Sequence, residues 1–131
     1  LFREWFYSCQ GRERSPFREL REELVNEAGL LRTLAPDDVA WEHLWTVEED
    51  AYTARSGQDG AFTHYFLEVF GVRFTNDAVL SALLAAPEES GARWVTRDQI
   101  ESAACLTLMI DGAERRVRVH GRAVLSPPEM R

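Results

Sequence analysis

Between Ser15 and Leu31 the chain reads SPFRELREELVNEAGLL, in which Glu19, Glu23 and Glu27 recur every four residues with Glu22 and Asn26 beside them. On a helix this spacing stacks the carboxylates along one stripe, where like charges repel by roughly a few tenths of a kcal/mol per exposed pair. Two chemistries relieve that repulsion. Arg14, Arg18 and Arg21 can form ordinary ion pairs and leave a solvated charged face. Alternatively, a divalent cation can be held, since Mg²⁺ favours a few carboxylate oxygens together with substrate phosphates. Spacing alone favours the solvated face.

Other groups carry less. His43, His64 and His120 have no metal-like spacing to a second His or Cys. Ser8 and Cys9 have no His or Asp arrangement that would activate a nucleophile. Trp41 and Trp45 offer surfaces for stacking a nucleobase, although alternating Trp on a strand is commonly core, and His43 reads as a core or rim histidine on the same face. Arg115, Arg116 and Arg118 form a local basic strand, which reads as a solvated edge before it reads as a phosphate site.

The chain that must position these groups has 131 residues, about one domain, and 45% of them are hydrophobic. A single folded unit over residues 1–131 is expected. No apolar run approaches the ~20 residues that cross a bilayer, so no membrane contact by this domain is expected. The formal net charge of −7 argues against nucleic acid as a partner. All fifteen basic residues are Arg, whose planar fork suits phosphates. Two cysteines far apart, Cys9 and Cys105, read as reduced thiols in a cytoplasmic protein. The chain opens on Leu1 rather than Met, which points to a piece of a longer protein.

Several elements follow from the pattern. LFREWFYSCQ (Leu1 to Gln10) alternates aromatics with charge and suggests a strand or extended segment. Ser15-Pro16 starts a helix whose apolar stripe is Phe17, Leu20, Leu24, Ala28 and Leu31, and Gly29 marks its end. Val39, Trp41, His43, Trp45 and Val47 fall on alternate positions, predicting a strand with one apolar face. The SGQDG stretch reads as a loop or hairpin tip. FTHYFLEVFGVRF (Phe62 to Phe74) predicts a central, buried strand. A short helix ended by Pro87 is predicted within Asn76 to Glu89, then a short strand and a helix over Ala92 to Leu106 with Thr96 and Gln99 as a capping box. A hairpin follows, turning near Asp111-Gly112, before a loose SPPEMR tail. Interleaved strands and helices give an α/β or α+β class around a mixed sheet.

The stretch SPFRELREELVNEAGLL resembles the box of Nudix hydrolases, G-x5-E-x7-R-E-U-x-E-E-x-G-U with U aliphatic. It lies without a gap on members whose helix opens with Ser-Pro and closes with Gly-Leu. In that register Glu23, Leu24, Glu27, Gly29 and Leu30 agree. The motif's Arg is here Glu22, the first of its paired Glu is Asn26, its upstream Glu is Arg14 and its upstream Gly is Ser8. A second register uses RELREE (Arg18 to Glu23) but lacks the closing Gly, so the gapless one is preferred. FTHYFLEVFGV followed by ARWVTRDQI is similar to the late strand and the strand-to-helix step of the same family. More narrowly, PFRELREELV resembles Nudix-like domains associated with bacterial nucleotide-second-messenger defence proteins.

The resemblance implies a Nudix-like mixed β-sheet flanked by helices. It implies a nucleoside-diphosphate-linked ligand held with Mg²⁺ or Mn²⁺, which neutralises phosphate charge and helps generate hydroxide. Glu23 and Glu27 would be the catalytic metal ligands, with Glu19 and Glu22 as alternates. Arg14 could pair with Glu23 or Glu27 in the metal's place or meet a phosphate directly, and Arg18 and Trp41 complete the candidate ligand-binding residues. Asn26 brings no charge and Arg14 replaces a carboxylate, so hydrolysis is expected to be weak or absent. The alternative is a non-catalytic nucleotide-sensor or interaction module of a longer bacterial signalling or defence protein, as a homodimer or fused to an effector. An unrelated α+β domain whose helix mimics the box is the third reading.

Overall fold

The computed structural model describes residues 2–8, 11–13, 15–52, 62–87, 90 and 92–128. Arg14, Cys9, the SGQDG stretch and the end of the chain from residue 129 lie outside the described residues.

Ser15 and Gly29 bracket the acidic helix as their chemistry requires. The Ser15 hydroxyl accepts from the Phe17 N–H at 3.1 Å, and Gly29 takes φ +63°, the left-handed conformation that costs glycine little. Between them lies α2 (Phe17–Arg21), followed by a π-helical turn over Glu22–Glu27. In that turn the Ala28 N–H reaches back five residues to the Glu23 carbonyl at 2.8 Å. The apolar stripe packs as read except at Ala28, which is exposed. Phe17, Leu20 and Leu24 pack on a core of Leu31, Leu34 and Leu83, joined by Val39, Phe74 and Val79.

The opening segment is not a strand. Phe2–Ser8 is a helix, α1, because Phe2 and Phe6, four residues apart, together meet Phe66 at ring separations of 5.0 and 4.9 Å. A helical stripe of aromatics outweighs the approximate alternation.

β1 (Val39–Tyr52) and β2 (Phe62–Phe74) form a long antiparallel hairpin. His43 pairs with Phe70 while Trp45 pairs with Val69, leaving Leu44 as an extra residue in a β-bulge. Phe70 and Val69 are neighbours on one strand and face opposite sides, so their partners do too. The single apolar face expected of β1 is therefore divided. Trp41 and His43 share a face with Phe70, and Trp45 and Val47 lie on the other, where Val47 and Val69 are buried and the Trp45 indole donates to the Ala123 carbonyl at 2.8 Å. β2 is not the expected central strand: among the described residues it pairs with β1 alone, and Leu67 and Val72 remain exposed.

The hairpin's open end is tied to the next helix, α3 (Asp77–Leu84). The Asp38 carboxylate accepts from the Ala35 N–H and from the Asn76 amide, both at 2.9 Å, and these bonds hold its pKa below the usual range. Asn76 in turn caps α3 by accepting from the Ala78 N–H. α3 ends at Leu84, three residues before Pro87, the residue expected to stop it. Ala92 to Val95 is not a strand. Trp94 instead anchors that segment to α3, donating from its indole to the Leu83 carbonyl at 3.0 Å. The capping box of Thr96 and Gln99 is present at the start of α4 (Arg97–Glu101).

β3 (Cys105–Ile110) and β4 (Ala113–Arg118) form the second antiparallel hairpin. Asp111 and Gly112 both have positive φ, 52° and 77°, the requirement of a two-residue turn matched to strand twist. β4 is exposed along its whole length, as expected of a solvated edge carrying Arg115, Arg116 and Arg118. The observed class is α+β, with both sheets antiparallel and two-stranded among the described residues.

Candidate functional site

The helix of α2 and the π turn turns Leu20 and Leu24 inward, which leaves its carboxylates on the outer side. There Arg18 occupies the centre. Its guanidinium reaches Glu13 at 2.9 Å, Glu19 at 2.9 Å and Glu22 at 3.0 Å. Glu13 first and then Glu22 raise the Arg18 pKa above its ordinary value. Ordinary ion pairing thus relieves the repulsion at the start of the stripe. Arg21 lies over the Phe17 ring at 5.8 Å and pairs with no carboxylate among the described residues.

Glu23 and Glu27 are different. Both are exposed, and neither side-chain carboxylate makes a hydrogen bond or ion pair with another described residue. They are the two carboxylates that the gapless register assigns to the box. Among the described residues no group of three or more His, Cys, Asp or Glu converges as a metal cage.

Beside the helix, an apolar cleft of about 430 Å³ runs between Leu20, Leu24 and Leu30 on one side and Leu83, Leu84 and Trp94 on the other. Trp41, the third predicted ligand residue, lies elsewhere. It lines a second cavity with His43 and Thr46 and with Phe6 and Tyr7 of α1. Its ring meets Phe70 edge to face at 5.8 Å. Trp45 is separated from it by the bulge.

Sequence reasoning missed the polar contacts that α1 and Arg12 make with the hairpin in and beside this cavity. Arg12 holds both oxygens of Glu68, at 2.8 and 3.2 Å, donates to the Phe6 carbonyl at 2.8 Å and lies 4.1 Å from the centre of the Phe6 ring. Glu48 accepts from Tyr7 at 2.9 Å, from Arg3 at 3.2 Å and from His64 at 3.2 Å, and the other His64 nitrogen bonds Asp50. The spacing of Phe2 and Phe6 was the one available signal, since nothing in sequence links Arg12 to Glu68.

His64 lies between two carboxylates, Asp50 first and then Glu48, and its pKa is raised from 6.5. A raised folded-state pKa means a contribution fully present below about 6.5 that fades as pH climbs through the raised value. Glu48 is shifted the other way by its bonds from Tyr7 and His64, so its contribution is lost only as pH falls below 4.5 toward its lowered pKa. Thermal unfolding should therefore show a midpoint that falls from pH 6 to pH 9, with His64→Gln flattening the slope. A slope unchanged in His64→Gln would assign the effect to another group.

An α+β scaffold carrying an acidic helix is consistent with a Nudix-like domain. The sequence pattern of the SMODS-associated NUDIX domain family matches residues 1–124, and the chain belongs to that family. No curated protein and no solved structure matches it. No described helix is long and apolar enough to cross a membrane.

Proposed function

We propose that this domain binds a nucleotide-type ligand carrying a diphosphate, with metal-dependent hydrolysis weak or absent. The observation that carries the reading is the division of the helix's carboxylates. Glu19 and Glu22 are held by Arg18, whereas Glu23 and Glu27 have no partner among the described residues. Those two would hold Mg²⁺ or Mn²⁺ jointly with the ligand's phosphates, and the metal would neutralise phosphate charge. Arg18, already neutralised by three carboxylates, is available to a phosphate only by exchange. Arg14 would supply the second guanidinium.

Asn26 stands where the box carries a carboxylate, and this favours binding over turnover. That same feature supports the second reading, a nucleotide sensor within a longer cytoplasmic bacterial signalling or defence protein, acting as a homodimer or through a fused effector.

Calorimetric titration with ADP-ribose, with and without Mg²⁺, tests the proposal. Mg²⁺ should tighten binding about tenfold or more, and Glu23→Gln with Glu27→Gln should reduce affinity to the metal-free value. Because both side chains are exposed, the double variant should keep its stability within about 0.5 kcal/mol per site. Turnover that vanishes in the same variant would identify an enzyme. Binding indifferent to both Mg²⁺ and the two substitutions would overturn the assignment.

A further inference from the structure

A cavity of about 460 Å³ opens between α1 and the face of the hairpin that carries Trp41 and His43. Phe6, Tyr7 and Trp41 give it aromatic walls, and His43, Thr46 and Glu68 give it polar atoms. Trp41 and Tyr7 are 43% and 44% exposed, a large aromatic surface left wet on two sides of one opening. Phe70 meets Trp41 at an interplanar angle of 76° and so covers at most one face of the indole.

The cavity's charges cancel. Arg12 and Glu68 form a two-pronged pair, with side chains only 10% and 21% exposed. Among the described residues lining it, no surplus cation is offered to a phosphate and no surplus carboxylate to an ammonium group. Hydrogen-bonding capacity remains. The His43 ring pairs Thr46 at 3.0 Å through one nitrogen, and a carboxylate such as Glu68 accepts more bonds than its arginine supplies.

We infer that this cavity binds a neutral, planar heterocycle with a hydrogen-bonding edge, the base of the nucleotide-type ligand. The ring stacks on Trp41, and its edge meets His43, Thr46 and Glu68. The volume lies within the range of small-molecule sites. Stacking tolerates any base, so selectivity comes from the edge. The inference rests on the nucleotide reading above and extends it to α1, which is outside the box.

Free nucleosides isolate the base from the phosphate. The whole chain is titrated with adenosine, guanosine and cytidine, and with ribose 5-phosphate as the control, by calorimetry and tryptophan fluorescence. At least one nucleoside should bind saturably and ribose 5-phosphate should not. Trp41→Ala should raise the Kd about tenfold or more, and Trp41→Phe should restore most of the affinity. His43→Ala should change the ranking of the nucleosides. Absence of saturable nucleoside binding overturns the inference, as does a folded Trp41→Ala variant that binds as the parent does. ADP-ribose binding that ignores Trp41→Ala and is not displaced by nucleosides overturns the cavity but leaves the nucleotide reading. Trp41-dependent nucleoside binding without ADP-ribose binding does the reverse.

Discussion

Removal of Leu44 from β1 is expected to abolish cooperative unfolding or to leave a chain that cannot fold. Leu44 is itself 41% exposed and contributes little by burial. Its role is to be counted, because the extra residue sets Trp41 and His43 on one face and Trp45 and Val47 on the other. Without it the strand must alternate without interruption, and either segment can be correct but not both. If the Trp41 end keeps its register, Val47 leaves its buried position, Val69 loses its packing and the Trp45 bond to Ala123 breaks. Each large apolar side chain re-exposed costs about 1.5–3 kcal/mol. Two or three together approach the roughly 5–15 kcal/mol that a domain has in total. Leu44→Ala, which keeps the residue count, should change stability by less than about 1 kcal/mol in urea denaturation. Similar effects of deletion and substitution would show that the bulge does not set the face.

Arg12→Ala is expected to lower unfolding free energy by about 3 kcal/mol, the low end for a broken buried ion pair, since Glu68 keeps some contact with water. Truncation leaves the Glu68 carboxylate half-sequestered without its guanidinium. It also removes the bond to the Phe6 carbonyl and the contact with the Phe6 ring, through which Arg12 holds α1 to the hairpin. Arg12→Met combined with Glu68→Leu removes both charges and should recover much of the loss. The comparison by denaturation midpoint separates an unpaired charge from lost packing, because only an unpaired charge is rescued by the double replacement.

The helix was legible because its signals are local. Ser15, the stripe from Phe17 to Leu31 and Gly29 each act within a turn of their neighbours, and so do Thr96 with Gln99 and Asp111 with Gly112. The phase of β1 was not legible. Val39 to Val47 alternates cleanly in sequence, no Gly or Pro marks the bulge, and only pairing with β2 reveals it. α1 was misread because charges interleave with aromatics at both helical and strand periods. The division among the carboxylates was half legible. Arg18 was named as a possible partner, but which glutamates it would take depends on a backbone that widens into a π turn after Arg21.

The bond from Trp45 to Ala123 spans 78 residues, and the Arg12 pair with Glu68 spans 56. Both hairpins, by contrast, close between strands adjacent in the chain. Hairpins of this kind form in about microseconds, whereas distant segments must first meet the entropy of loop closure. The order of assembly follows. The two hairpins are expected to form first, with α1 and the Arg122–Val124 turn docking afterwards onto opposite faces of the longer one. By that reasoning the cavity around Trp41 is expected to close only once α1 has docked, an order that pulse-labelled hydrogen exchange would check.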